Sequence, residues 1–178
     1  GSKNNRLYSA NASSIFVEDV IKFNKVTITA GTRYEEISLE RKDWGNDLDR
    51  DSTATSIKSA SLNVLIPGLG ISYHLADGIQ IFTGIHNGFS PPGPGIDDDD
   101  EVLPEESLNF EFGGRFNQGF HSMEFVTFYN DYKNLLGEDT EATGSGTYAQ
   151  FNGGEVLIQG LELSYGNLFN YSGFLFPI

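Results

Sequence analysis

A period of two in hydrophobicity runs through most of this chain, in segments joined alternately by tight turns and by long polar loops. "KVTITAGTRYE" sets Val26, Ile28, Ala30 and Tyr34 on one side against Thr27, Thr29, Arg33 and Glu35 on the other, the pattern of an extended strand with one apolar face. "LGISYHL" repeats it, with Leu69, Ile71, Tyr73 and Leu75 opposing Gly70, Ser72 and His74. In "LNFEFGGRF" Phe110, Phe112 and Phe116 face away from Asn109, Glu111 and Arg115, and in "LIQGLELSY" Leu161, Leu163 and Tyr165 oppose Gly160, Glu162 and Ser164. "SIFVEDVIKF" and "FHSMEFVTFYNDY" carry apolar residues on both sides, so periodicity predicts strands there without an orientation.

The connections supply topology. Turn signals at Asn24, at Ala76–Gly78 and at Asn117–Gly119 suit tight hairpins. Between them lie polar loops at about residues 41–58, 88–105 and 136–150, rich in Asp, Ser, Thr and Gly. Strict alternation of short and long places all tight turns at one end of an up-and-down meander, as in outer-membrane barrels. The expected fold is therefore all-β: an antiparallel up-and-down meander of about eight strands, with hairpins turning at Asn24, Asp77 and Gln118.

Composition supports a wall better than a packed globule. An apolar fraction of 38% is low for a core of 178 residues while 13% aromatic is high, so the rings have a surface to cover other than an ordinary interior. Eleven Lys and Arg against twenty-five Asp and Glu give a net charge of −14, which disfavours nucleic acid as a partner. There is no Cys, which removes disulfides and thiolate chemistry. No apolar run reaches the length of a spanning helix and no leader pattern opens the chain. A strand needs only about ten alternating residues to cross.

Sites for chemistry are few. Asp47, Asp49 and Asp51 have calcium-loop spacing, but Ser52 stands where the glycine is required and Lys58 where a bidentate Glu belongs. His74, His86 and His121 sit on separate strands, without ligand spacing. Glu105 and Glu106 are adjacent on a strand, so they point to opposite faces and do not flank one bond. Neither a nucleophile elbow nor a phosphate-cradling glycine loop occurs. The expectation is no enzyme activity, no resident metal and no cofactor. In "IHNGFSPPGPGIDDDDEVLPEES", Pro91, Pro92 and Pro94 stiffen the exit from a strand, Gly93 and Gly95 permit the turn, and Asp97–Glu101 keep the loop solvated.

"FVEDVIKFNKVTITAGTRYE", "LIPGLGISYHL", "FTGIHNGFSPPGPG", "PEESLNFEFGGRF", "FYNDYKNLLG" and "FNGGEVLIQGLEL", in that order and spacing, resemble successive barrel strands of TonB-dependent outer-membrane receptors. The resemblance runs from about Leu7 to Leu168 and is closest to the ferric-citrate receptor group. It implies a piece of an energy-coupled receptor of the bacterial outer membrane that takes up an iron chelate, ferric citrate or a similar carboxylate complex. Outer-membrane lipid, and the TonB complex acting through a plug, are the implied partners. Complete receptors close about 22 strands around that plug, so the resemblance implies that the meander of residues 1–178 is part of a large transmembrane β-barrel, one partial barrel domain without the plug and remaining strands, prone to self-association at its free edges. The loop base at Phe89, Pro91, Pro92 and Pro94 is then expected beside the ligand vestibule, and Arg33 and Arg115 to meet an anionic chelate. The competing architecture is a secreted or surface β-sandwich binding calcium or glycan through acidic loops. Phe110, Phe112, Phe116 and Tyr34 distinguish the two: a barrel turns them outward and a sandwich buries them.

Overall fold

The computed structural model describes residues 5–93, 103–138, 150–171 and 174–177. Its strands are β1 (Arg6–Phe23), β2 (Val26–Asp43), β3 (Ser56–Ala76), β4 (Ile79–Ser90), β5 (Glu105–Gln118), β6 (His121–Lys133), β7 (Leu136–Glu138), β8 (Gln150–Asn152), β9 (Val156–Tyr171) and β10 (Phe174–Pro177). Eight of them form one sheet in the order β1-β2-β3-β4-β5-β6-β9-β10, and β7–β8 is a separate two-stranded ribbon. Every pair is antiparallel. The expected meander is the observed one.

Two-residue turns join β1 to β2, β3 to β4 and β5 to β6. Asn24, Gly78 and Gly119 take φ of 54°, 72° and 61°, the left-handed conformation that matches tight hairpins to strand twist. Leu75, read above as a member of the apolar face, instead sits at a bulge where the β3–β4 register shifts between His74 and Ala76.

The strands are longer than periodicity suggested, because β1 begins at Arg6, β2 runs to Asp43 and β3 begins at Ser56. In β2 the apolar side changes face on the way. Val26, Ile28, Ala30 and Tyr34 share one face, which continues as Glu36, Ser38 and Glu40; Ile37 and Leu39 lie on the face of Arg33. These two, 5% and 3% exposed, are the only buried leucine and isoleucine side chains among the described residues. From Leu65 to Tyr73 the apolar band on β3 covers nine residues, which a strand tilted as in barrels spreads over about 23 Å, close to the apolar height of an outer-membrane wall.

Among the described residues no second sheet or helix covers the large sheet. Phe110 is 46% and Phe112 40% exposed, Tyr34 is exposed and Phe116 half-buried. A sandwich would have buried them, so the two-layer alternative is wrong: this is a single-layer wall.

Candidate functional site

Cross-strand register sorts the side chains into two faces. The apolar face carries, row by row, Ile21–Ile28–Ile71–Thr83–Phe112–Thr127–Leu161 and Phe23–Val26–Tyr73–Ile81–Gly114–Phe125–Leu163. The opposite face carries Val20–Thr29–Gly70–Gly84–Glu111–Phe128–Gly160 and Lys22–Thr27–Ser72–Phe82–Gly113–Val126–Glu162. On β3 the polar-face residues are half-buried between Leu62 and Ser72 while their apolar-face neighbours are exposed. The polar face is the sheltered one.

Glycines thin this face where β2, β3 and β4 meet. Gly31, Gly68, Gly70 and Gly84 floor a depression of about 530 Å³, with Glu18, His86 and Arg33 among its walls. Arg33 is half-exposed, pairs through Nε with Glu35 and donates from Nη2 to Ser14 Oγ at 3.2 Å. A guanidinium has five donors, so this one can serve a ligand while keeping both contacts. It stands two rows below Ile37, where the apolar side has changed face.

Arg115 occupies a different level. It lies three residues before Gln118 at the tight-turn end, ion-paired through Nε with Glu124, its guanidinium 4.5 Å from the Phe82 ring centre. Glu111 and Glu162 share its side of the sheet, leaving a local excess of carboxylates. By register Arg33 aligns with Ile66 and Arg115, through Gln80, with His74, which separates them by about 27 Å along the strands. The structure puts both expected cations on the polar face without bringing them together.

The loop base divides. Phe89 belongs to the face of Ile85 and pairs with Glu106, so it is not on the face of Arg33. Pro91 is exposed and Pro92 buried; having no N–H, they end β4 at Ser90. Pro94 and the acidic run 97–101 lie outside the described residues. The bases of two long loops are bracketed by residues that sequence reasoning passed over. Asn152 accepts from Leu103 N through Oδ1 and donates through Nδ2 to the carbonyls of Leu103 and Asn134, each at 2.9 Å. The only advance signal was an Asn in each of two turn-rich stretches.

The loop at 44–55 is a compact cap, not merely a solvated connection. Trp44 Nε1 donates to Ser52 O at 3.1 Å, and Arg50 lies 4.8 Å from the Trp44 ring while donating to Asn5 Oδ1 at 2.8 Å. Asp47, once a calcium-loop candidate, accepts from the Ser52 hydroxyl and then the Ser52 amide, which hold its carboxyl below the usual range. Asp43 is lowered by the Gly45 amide and then by Arg6, whose own pKa is raised. Below the cap, Arg41 is 6% exposed and stands in direct register with Lys58. No group of three or more His, Asp or Glu placed to hold a metal occurs among the described residues.

An antiparallel wall with an apolar band on one face, a sheltered polar face on the other, tight turns at one end and long loops at the other defines an arc of a membrane-spanning up-and-down β-barrel. Residues 1–176 match the model of the TonB dependent receptor-like β-barrel, and the chain belongs to that family, whose barrels are outer-membrane receptors of bacteria. It is similar to the ferric citrate transporter FecA in its unliganded form (21% identity, TM-score 0.74), covering 92% of this chain and 23% of that one. The FrpB iron transporter from Neisseria meningitidis matches at 17% identity and TM-score 0.68 over 92% and 24% of the two chains. The copper transporter OprC matches at 15% and 0.71 over 92% and 26%. The chain thus spans about a quarter of these structures, and at such identities the likeness is one of fold.

Proposed function

We propose that this chain forms part of the wall and upper rim of an energy-coupled outer-membrane receptor, and that the whole receptor takes up an anionic iron chelate, ferric citrate or a similar carboxylate complex. The observation that carries the ligand class is Arg33: a half-exposed guanidinium on the sheltered face, beside a glycine-floored depression, at the level where the wall leaves its apolar band. Guanidinium groups bind carboxylates through paired, charge-assisted hydrogen bonds. The chelate meets Arg33 first, and Arg115, nearer the tight-turn end, lies on its way inward. Asp97–Glu101 carry the wrong sign for direct contact with an anion. Capture by loops and plug is followed by loop closure and by plug rearrangement driven by the TonB complex, the plug being a part of the receptor outside these residues. The apolar face contacts outer-membrane lipid throughout.

The test is binding and uptake of radiolabelled ferric citrate by cells carrying the full-length receptor. Arg33→Ala is expected to weaken binding about tenfold, the worth of one charge-assisted contact, and Arg115→Ala to slow uptake. Asp98→Ala and Asp99→Ala should do less. Equal and negligible effects at all four positions would leave these residues as wall without ligand contact.

A further inference from the structure

The apolar band of β1, Ile15–Phe23, has a carboxylate at its midpoint. Register places Asp19 opposite Ala30, in one row with Leu69, Ile85, Phe110 and Tyr129, and on the same face as Val17 and Ile21. Asp131 shares this face one row higher, between Leu108 and Leu157, while Asp19 lies four residues from Phe23, at the middle of the band on β1. The Asp19 carboxylate is exposed and makes no hydrogen bond or ion pair with any of the described residues.

Lone ionised groups at mid-depth in a bilayer are costly, and long side chains escape by reaching for the interface. Aspartate is too short to do so. On the β2 side its neighbour is Ala30, which has no donor in its side chain. The other side of β1 is the free edge of the sheet. A spanning barrel has no free edges, and this chain covers about a quarter of the length of the chains it matches, so another strand lies against that edge in the whole receptor. Residues directly opposite on paired strands have Cβ atoms about 4.5–5.5 Å apart, and diagonal ones about 7–8 Å. Both are within reach of a Lys or Arg head group.

We propose that the strand closing against β1 presents a Lys or Arg on its lipid-facing side, opposite or diagonal to Asp19, and that the resulting cross-strand ion pair fastens this seam of the barrel. The proposal rests on the outer-membrane reading given above. A cation is favoured over a neutral donor because only a charged partner compensates a carboxylate away from water.

The experiment uses the full-length receptor in phosphatidylcholine vesicles, with urea unfolding as readout and three variants: Asp19→Leu, the facing cation to Leu, and both together. Asp19→Leu should lower the ratio of folded to unfolded receptor by about thirtyfold or more, since it strands a cation in lipid, the change of the facing cation should lower it by less, since a stranded carboxylate costs less, and the double change should return most of the loss. Absence of any Lys or Arg at the facing and diagonal positions overturns the proposal, as does an Asp19→Leu variant as stable as the parent or more so. If Asp19→Leu instead splits a larger assembly on size exclusion without changing unfolding, the carboxylate serves a second membrane protein and the seam is not its place. Phe112→Asp on the same face separates the two levels of inference: if it is harmless in vesicles, the apolar face does not meet lipid and the outer-membrane reading itself fails.

Discussion

Phe128 and Gly160 are direct cross-strand partners, and a Cβ added at Gly160 would fall 2.5 Å from the tip of the Phe128 ring. Three further pairs repeat the relationship in register: Phe82 with Gly113, Phe125 with Gly114 and Phe151 with Gly137. Missing side chains on one strand thus make room for rings on the next, and at Phe128 and Phe82, on the polar face, the ring covers backbone where it would otherwise stand in water.

The pairs differ in what a methyl group would meet. At Gly113 a Cβ comes within 2.6 Å of the Phe125 backbone oxygen as well as 2.5 Å of the Phe82 ring, whereas at Gly160 all three nearest atoms belong to the Phe128 ring. Gly113→Ala is therefore expected to cost about 1–3 kcal/mol, the usual range for overpacking. Gly160→Ala should cost about 1 kcal/mol or less, and Phe128→Leu in the same chain should remove that cost. Urea unfolding of the full-length receptor in vesicles gives the order; the reverse order would mean that backbone contact is not what limits these sites.

Asn152 bonds two loop bases at once, so its loss should be felt in both. Asn152→Ala removes three hydrogen bonds, a net loss of about 1–3 kcal/mol confined to that end of the wall. Limited proteolysis on intact cells is expected to speed up within 91–104 and 134–155 together. Acceleration in one loop alone would show that Asn152 does not couple them.

The cap at 44–55 should outlast ordinary carboxylate titration. Asp43 and Asp47 are both lowered from their usual values, so the stabilisation they bring is complete above the unfolded carboxylate value of about 3.9 and is lost only as pH falls through the lower folded values. Trp44 is the chain's single tryptophan and lies inside the cap. Its fluorescence, taken as the difference between the receptor and a Trp44→Phe variant, should hold from neutral pH to about 4 and change below that. A change centred near pH 6 would contradict this assignment.

The 178 residues taken alone should associate. Both outer strands of the large sheet leave backbone groups open, and Phe16, Ile15, Leu163 and Tyr165 near those edges are exposed, a combination that recruits further strands. Light scattering without detergent is expected to show large species. A monodisperse monomer with Phe110 and Phe112 inaccessible would mean that the chain closes on itself.

Much of this wall was legible in advance because both of its signals are local. Alternation over a few residues orients β2, β3, β5 and β9, and Asn or Gly at a two-residue connection marks a tight turn. Arg33 and Arg115 were placed on the polar face for the same reason. Asn152, Trp44 and Arg50 were not legible, since their partners lie 49, 8 and 45 residues away and leave no periodic trace.

What the sequence by itself determined is the period, the turns and hence the meander and its family. What only tertiary structure decided is the facing of the mixed strands. In β1 and β6 apolar residues occupy both alternating sets, so pairing must choose: register with β2 assigns Asp19 to the apolar face, and register with β9 assigns Phe128 to the polar face, where Gly160 receives it. The same holds above Tyr34, where β2 keeps its alternation but Ile37 and Leu39 change face. A strand's pattern states that its faces differ. Which face meets lipid depends on neighbours distant in sequence, because a shift of one residue in register exchanges them all.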